Sequence, residues 1–294
     1  MNKNILITGA NGQLGSEIKK LSPLFPSFTF FFTDIEQLDL LDKPSLREFI
    51  VQNQIHYVIN CAAYTAVDKA EDEPQICRMV NRDAVQNLAE AIKGKARIIH
   101  ISTDYVFDGK GNLPLKETDP VNPQSVYGKT KMEGEQILME ILPESMIVRT
   151  SWLYSEFGNN FVKTMLRLGK EREQLSVVND QFGTPTYAAD LASTLLHIIK
   201  FAEEENTFPS GIYHYSNEGA CSWYDFCLKI FELTGIQNCK GHPIPTSEYP
   251  TKATRPQYSV LDKTKIKQTF GLEIPSWEDS LKNMLSSLPG STIK

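Results

Sequence analysis

The chain has no apolar run approaching the roughly 18 residues that a membrane-crossing helix needs, and its densest aromatic cluster, "FTFFFT", is only six residues long. It has no block of Lys or Arg and carries a formal charge of -6, so the electrostatic footprint of a nucleic-acid binder is missing. The five cysteines are odd in number, scattered and never spaced C-x-x-C, which argues against a disulfide scaffold and suits a reducing compartment. The five histidines form no metal-ligand spacing with one another or with cysteine, which argues against a structural zinc site. Internal repeats and low-complexity tails are absent too. The first strand-like run begins at Asn4, leaving no room ahead of it for a charged segment, an apolar core and a cleavage site. The expectation is a soluble, unexported, cytoplasmic protein that binds neither nucleic acid nor membrane and holds no metal.

What is present is a rhythm. "NILITGA", "SFTFFFTD", "HYVINCAAY", "ARIIHISTDYVF" and "SMIVRTSWLY" read as strands, and the stretches between them place apolar residues at helical intervals. Strand and helix alternating in this way imply a doubly wound parallel α/β sheet of Rossmann type, because parallel strands need long right-handed crossovers. After about Tyr154 the rhythm changes to longer helices, short strands and the Pro-rich passage "HPIPTSEYPTKATRPQ". A chain of 294 residues is long enough for two parts. The expected division is residues 1–153 for dinucleotide binding and 154–294 for a smaller C-terminal α/β substrate lobe, some of whose helices return to the first domain.

"ILITGANGQLG" sets Gly9, Gly12 and Gly15 between an apolar strand and an amphipathic helix. In that position the first glycine makes the tight turn, the second lets a pyrophosphate approach the backbone, and the third lets the helix lie close on the sheet. Asp34 ends the second strand 19 positions beyond Gly15, near the spacing of a carboxylate that grips a ribose 2′-hydroxyl. A carboxylate there repels the 2′-phosphate of NADPH and no Arg neighbours it, so the residues favour NADH without excluding NADPH. Asp39 and Leu40 follow where the chain could flank an adenine; alternatively Asp39 is solvated and Asp42 caps the next helix.

Two further groups fit reduction of a ketone, in which hydride adds to carbon and a proton to oxygen. In "SVYGKTKMEGEQIL", Tyr127 and Lys131 stand four apart and share a helix face. A phenol with a pKa of about 10 is a useful acid near neutrality if a neighbouring ammonium pulls it down. In "IHISTDYVFDG", Ser102 and Thr103 lie at the end of a parallel strand, where α/β sheets collect ligands. The strand's alternation, which groups Thr103 with Ile99 and Ile101, favours Thr103 as the donor to the carbonyl oxygen.

With those residues in view, the chain resembles the extended short-chain dehydrogenase/reductases, through Thr8 to Gly15, Thr103, Tyr127 and Lys131. Within them, "AAYTAVDKAEDEP", "VYGKTKMEGE", "RTSWLY", "GNNFVKTML", "NDQFGTPT" and "RPQYSVLD" are similar to the dTDP-4-dehydrorhamnose reductase family from end to end. The resemblance implies reduction of a 4-keto sugar nucleotide by NADPH or NADH. Tyr127 would be the general acid, Lys131 would hold the nicotinamide ribose, and Thr103 would bind the reacting oxygen with Asp104 beside it. Gly12, Gln13 and Leu14 would cover the pyrophosphate, and Ala63, Tyr64 and Thr65 would line the cofactor. Val67 would border the sugar, while Asp68, Glu71, Asp72 and Glu73 would form a solvated acidic helix start. Trp152 would sit against the sugar nucleotide or pack in the core. Arg255 would meet the diphosphate or form a surface ion pair, and Asn81 would anchor a water or backbone, or serve the fold alone. A homodimer is the assembly to be tested.

Two rivals share the resemblance. Nucleotide-sugar dehydratases of this type carry a Glu after the Thr-Asp pair to take a ring proton; here Tyr105 stands in that place. The regulatory subunit of methionine adenosyltransferase also looks like this family but would not need Thr103, Tyr127 and Lys131 together.

Overall fold

The computed structural model describes residues 2–289. Strands β1 (Lys3–Thr8), β2 (Phe28–Thr33), β3 (Ile55–Asn60), β4 (Arg97–Thr103) and β5 (Met146–Thr150) coincide with the five apolar runs of the sequence. Later strands are β6 (Leu153–Tyr154), β7 (Gln174–Val178), β8 (Phe182–Gly183), β9 (Thr186–Tyr187), β10 (Gly211–His214), β11 (Cys221–Ser222) and β12 (Lys240–Ile244). The main sheet has six strands in the order β10-β5-β4-β3-β1-β2, with every pair parallel. The chain leaves β1 for β2 on one side and returns to β3 on the other, so the sheet has a switch point at the C-terminal ends of β1 and β3, where such sheets open a crevice.

The helices of the first half are α1 (Gln13–Leu21), α2 (Lys43–Gln52), α3 (Val67–Ala70), α4 (Pro74–Arg78), α5 (Ala84–Ile92) and α6 (Val126–Ile141). Those of the second are α7 (Phe161–Glu171), α8 (Ala188–Glu204), α9 (Trp223–Thr234), α10 (Thr264–Phe270) and α11 (Trp277–Ser287). Both faces of the sheet are covered, which is why its strands read as continuous apolar runs rather than as alternating ones. Ile5, Ile7, Ile59 and Val148 pack with Leu14 and Ile18 of α1, Leu191 to Ile199 of α8 and Phe270 of α10. Leu6, Val58 and Ile147 face the opposite way, onto Leu46 of α2, Leu88 of α5 and Leu138 of α6.

A second core joins Tyr154, Val162, Phe226, Ile230, Trp277 and Leu281, drawn from α7, α9, α11 and the short strands around them. The C-terminal half also contributes to the main sheet, where β10 pairs with β5, and α8 packs against α1. Among the described residues no helix is long and apolar enough to cross a membrane.

Candidate active site

The glycine turn is built for close approach. Gly9 holds φ +63°, and a Cβ on it would stand 2.7 Å from the Ala62 nitrogen; a Cβ on Gly15 would stand 2.6 Å from the Gly9 carbonyl oxygen. Gly12 is the N-cap of α1, so the first turn of the helix opens onto the crevice with its N–H groups unencumbered by a side chain. Asp34 follows β2 and accepts from the Asn11 N–H at 3.0 Å and the Ile35 N–H at 2.9 Å. These bonds aim its carboxylate at the glycine turn. Asp42 caps α2, its carboxylate accepting from Ser45.

A crevice of about 780 Å³ runs from this turn along the strand ends. Gly9, Gly12, Gln13, Leu14, Gly15, Asp34, Asp39, Leu40, Ala63 and Thr65 line it at the turn and along the strand ends, together with Val67, Thr103, Asp104, Tyr127, Lys131 and Trp152. Tyr64 and Arg255 are not among the lining residues. The Tyr64 phenol instead donates to Glu73 at 2.9 Å, and Arg255 pairs with Asp68 at 2.7 Å and reaches the Tyr105 hydroxyl at 3.4 Å. Ser102, the strand-end alternative to Thr103, also lines the crevice, as do Cys61 and Ser151, which no motif singled out.

Helix α6 delivers Tyr127 and Lys131. Ser125 caps it, accepting from the Gly128 N–H at 3.1 Å, so Tyr127 is only the second residue in. Two glycines let the helix settle on its neighbours. A Cβ on Gly128 would stand 2.2 Å from the Tyr105 carbonyl oxygen, and one on Gly134 would stand 2.2 Å from the Asn81 carbonyl oxygen. The first contact brings Tyr127 beside the Thr103–Tyr105 segment, where its ring meets Tyr105 edge-on at 5.4 Å. The second rests on a π turn, Met79–Asp83, inserted between α4 and α5. From that turn Asn81 accepts from the Tyr64 N–H at 2.8 Å and donates to the Tyr64 carbonyl at 3.2 Å, fixing the backbone of the Ala63–Thr65 wall.

Burial dominates the electrostatics of the site. Burial pushes the Tyr127 phenol above its ordinary range, the Thr103 hydroxyl lowers it again, and the charge of Asp104 raises it. The Lys131 ammonium, 2% exposed, donates to the Ile101 carbonyl at 2.7 Å. Burial pushes the amine down to about 8, against the opposing charge of Glu135. Asp104 is pushed up to about 6 by burial, while the hydroxyl that Thr103 donates at 3.0 Å favours its charged form. The acidic stretch after Val67 keeps solvent contact, with the Asp68 and Asp72 side chains 43% and 54% exposed, yet each carboxylate has a partner. Asp68 pairs with Arg255, Glu71 accepts from the Val126 N–H at 2.8 Å, Asp72 pairs with Lys252, and Glu73 accepts from Tyr64.

The switch-point crevice, the glycine turn and the Thr, Tyr and Lys side chains that meet in it define an oxidoreductase of the short-chain dehydrogenase/reductase class. Comparisons with known proteins sharpen that assignment. The family model described as RmlD substrate binding domain matches residues 3–289. A dTDP-4-dehydrorhamnose reductase of Aggregatibacter actinomycetemcomitans is 46% identical over 286 residues, covering 95% of this chain and 97% of that one. A solved dTDP-4-dehydrorhamnose reductase from Clostridium acetobutylicum is 46% identical with a TM-score of 0.90, covering 96% of this chain and 98% of that one. Another, from Bacillus anthracis and in complex with NADP, is 39% identical with a TM-score of 0.90, over 98% of this chain and 100% of that one. The chain belongs to the dTDP-4-dehydrorhamnose reductase family.

Proposed function

We propose that the protein reduces the 4-keto group of dTDP-4-dehydro-L-rhamnose to give dTDP-L-rhamnose, with Tyr127 as the proton donor. The observation that carries the reading is the meeting of Thr103, Tyr127 and Lys131 in one crevice headed by the glycine turn. The cradle fits a dinucleotide, since Cβ atoms at Gly9 and Gly15 would collide with backbone and the Asp34 carboxylate is oriented at the turn. NADPH or NADH, when bound, supplies the hydride that adds to the carbonyl carbon.

The chain's residues do the rest. Gly12, Gln13 and Leu14 cover the pyrophosphate, with Gly9 and Gly15 shaping the turn, while Asp34, Asp39 and Leu40 take the adenosine end. Ala63, Tyr64 and Thr65 form the side wall, Tyr64 through its backbone. Thr103 turns the single hydroxyl proton that it gives to Asp104 in the free protein onto the ketone oxygen. Because burial keeps the Tyr127 phenol protonated at neutral pH, it is in the form that can hand its proton to the oxygen as negative charge develops there. The ketone becomes a secondary alcohol, the cofactor is oxidised, and the tyrosinate regains its proton from solvent. Lys131 holds the nicotinamide ribose. Val67 and Trp152 border the sugar, and Arg255 acts on the substrate side by holding Asp68 and Tyr105 or by meeting the diphosphate.

Supporting the reading are the names of the relatives and, for the cofactor, the NADP complex of the Bacillus anthracis structure. Asp34 favours NADH; a ratio of catalytic efficiencies strongly favouring NADPH would overturn that preference. A cytoplasmic site of action and a homodimer complete the proposal, the latter testable by light scattering. The deciding experiment supplies purified protein with NADPH or NADH and dTDP-4-dehydro-L-rhamnose. Oxidation of the cofactor only when the keto sugar is present, with dTDP-L-rhamnose as product, supports the reading. No oxidation, together with tight association with another enzyme, would favour a regulatory subunit instead.

A further inference from the structure

Trp152 reaches the crevice wall from an uncommon backbone. It follows β5 by two residues with φ +48°, in the left-handed region that large side chains rarely enter. Its surroundings hold it there. The Ser151 hydroxyl donates to the Thr184 carbonyl at 2.8 Å, and the Trp152 carbonyl accepts from the Thr186 N–H at 3.2 Å. Gly183 leaves room for the indole, since a Cβ there would stand 2.7 Å from its Cε2. Trp223 lies flat against the ring, with centroids 3.5 Å apart and planes 8° from parallel.

Trp223 itself does not line the crevice. It is the first residue of α9, whose start is locked by the reciprocal capping of Ser222 and Asp225. Phe161, the first residue of α7, backs it at 4.6 Å between centroids. The second core thus presents a rigid aromatic prop to a residue whose backbone would not choose this conformation alone.

Resting on the sugar-nucleotide reading above, we propose that Trp223 is a positioning residue for substrate recognition: stacked behind Trp152, it fixes the angle at which that indole meets the sugar. The glycine turn, Asp34 and Lys131 line the crevice and Trp223 does not, so its effect should fall, through Trp152, on substrate and not on cofactor.

Trp223→Ala, Trp223→Phe, Trp152→Ala and the double alanine variant test this. Coupled indoles give an exciton couplet in far-ultraviolet circular dichroism, and Trp223→Ala and Trp152→Ala should each abolish it. Trp223→Ala should raise KM for the keto sugar about tenfold while the NADPH Kd, read by fluorescence, stays within about twofold. Trp223→Phe, which keeps a flat ring, should recover most of that loss. The double variant should be no worse than Trp152→Ala, because Trp223 acts only through Trp152. Independent, multiplying effects of the two substitutions would overturn the proposal. An unchanged KM in Trp223→Ala, or an equal loss of NADPH affinity, would do so too. Absence of turnover in the unsubstituted protein would instead defeat the substrate reading, and the two failures are thereby separable.

Discussion

Beneath the crevice, Arg149 of β5 and Glu135 of α6 form a bidentate ion pair, at 2.8 Å from Nε and 2.6 Å from Nη2. Both are almost fully buried, 2% and 4% exposed. The guanidinium also lies 5.1 Å from the Phe107 ring centroid. It therefore joins the helix that carries Tyr127 and Lys131 to the segment that carries Thr103. Arg149→Met leaves the Glu135 carboxylate buried without its partner, and breaking such a pair costs about 3–5 kcal/mol. Set against a domain stability of about 5–15 kcal/mol, that loss is large. Glu135→Leu combined with Arg149→Met removes both charges at similar volume and should recover most of the loss. Denaturant unfolding followed by circular dichroism measures each variant, with an unchanged slope showing that the shift in midpoint is a stability change. The same pair bears on Lys131, which also has Cys61, Cys77 and His100 near it. Glu135→Gln removes the charge that favours the ammonium, so the loss of cofactor affinity at high pH should begin at lower pH than in the unsubstituted protein. A single-variant cost under about 1 kcal/mol, as for an exposed pair, or a double variant as unstable as the singles, would refute the reasoning.

Two other outcomes are expected. Gly15→Ala places a Cβ 2.6 Å from the Ala10 Cα and the Gly9 carbonyl oxygen, so the turn must shift; NADPH affinity, titrated by fluorescence, should fall by about 2 kcal/mol, roughly thirtyfold, and an unchanged Kd would contradict it. His214 is held down to about 3 by burial, with the charge of Arg149 acting in the same direction. The unfolded chain then takes up a proton below about 6.5 that the native one refuses, so this residue's contribution is present above that pH and is lost as pH falls toward 3. The stability advantage over His214→Gln should shrink across that window, and a constant difference would contradict the assignment.

The five central strands and the glycine turn were legible because each is written locally. A strand buried on both faces must be apolar throughout, and the turn needs glycine where backbone meets backbone. Tyr127 and Lys131 were legible for the same reason, as neighbours on one helix. What escaped depended on distant partners. β10 is four residues, "GIYH", whose pairing with β5 no local pattern announces. "CSWYDF" reads as a capped helix start, and nothing in it shows that Trp223 stacks on a residue 71 positions earlier. Arg149 sits in an apolar strand 14 positions from Glu135, beyond any helical spacing rule. How far burial sets the protonation of Tyr127 and Lys131 was not legible, because sequence spacing carries no information on burial, and burial dominates both groups.

The central claim is that one phenolic proton completes the reduction, and Tyr127→Phe tests it most directly, since it deletes that proton and almost nothing else. Single-turnover reduction of dTDP-4-dehydro-L-rhamnose should slow by about 10²-fold or more, in line with loss of a general acid, while the NADPH Kd stays within about twofold. A Tyr127→Phe protein that reduces the keto sugar at the unsubstituted rate would contradict it.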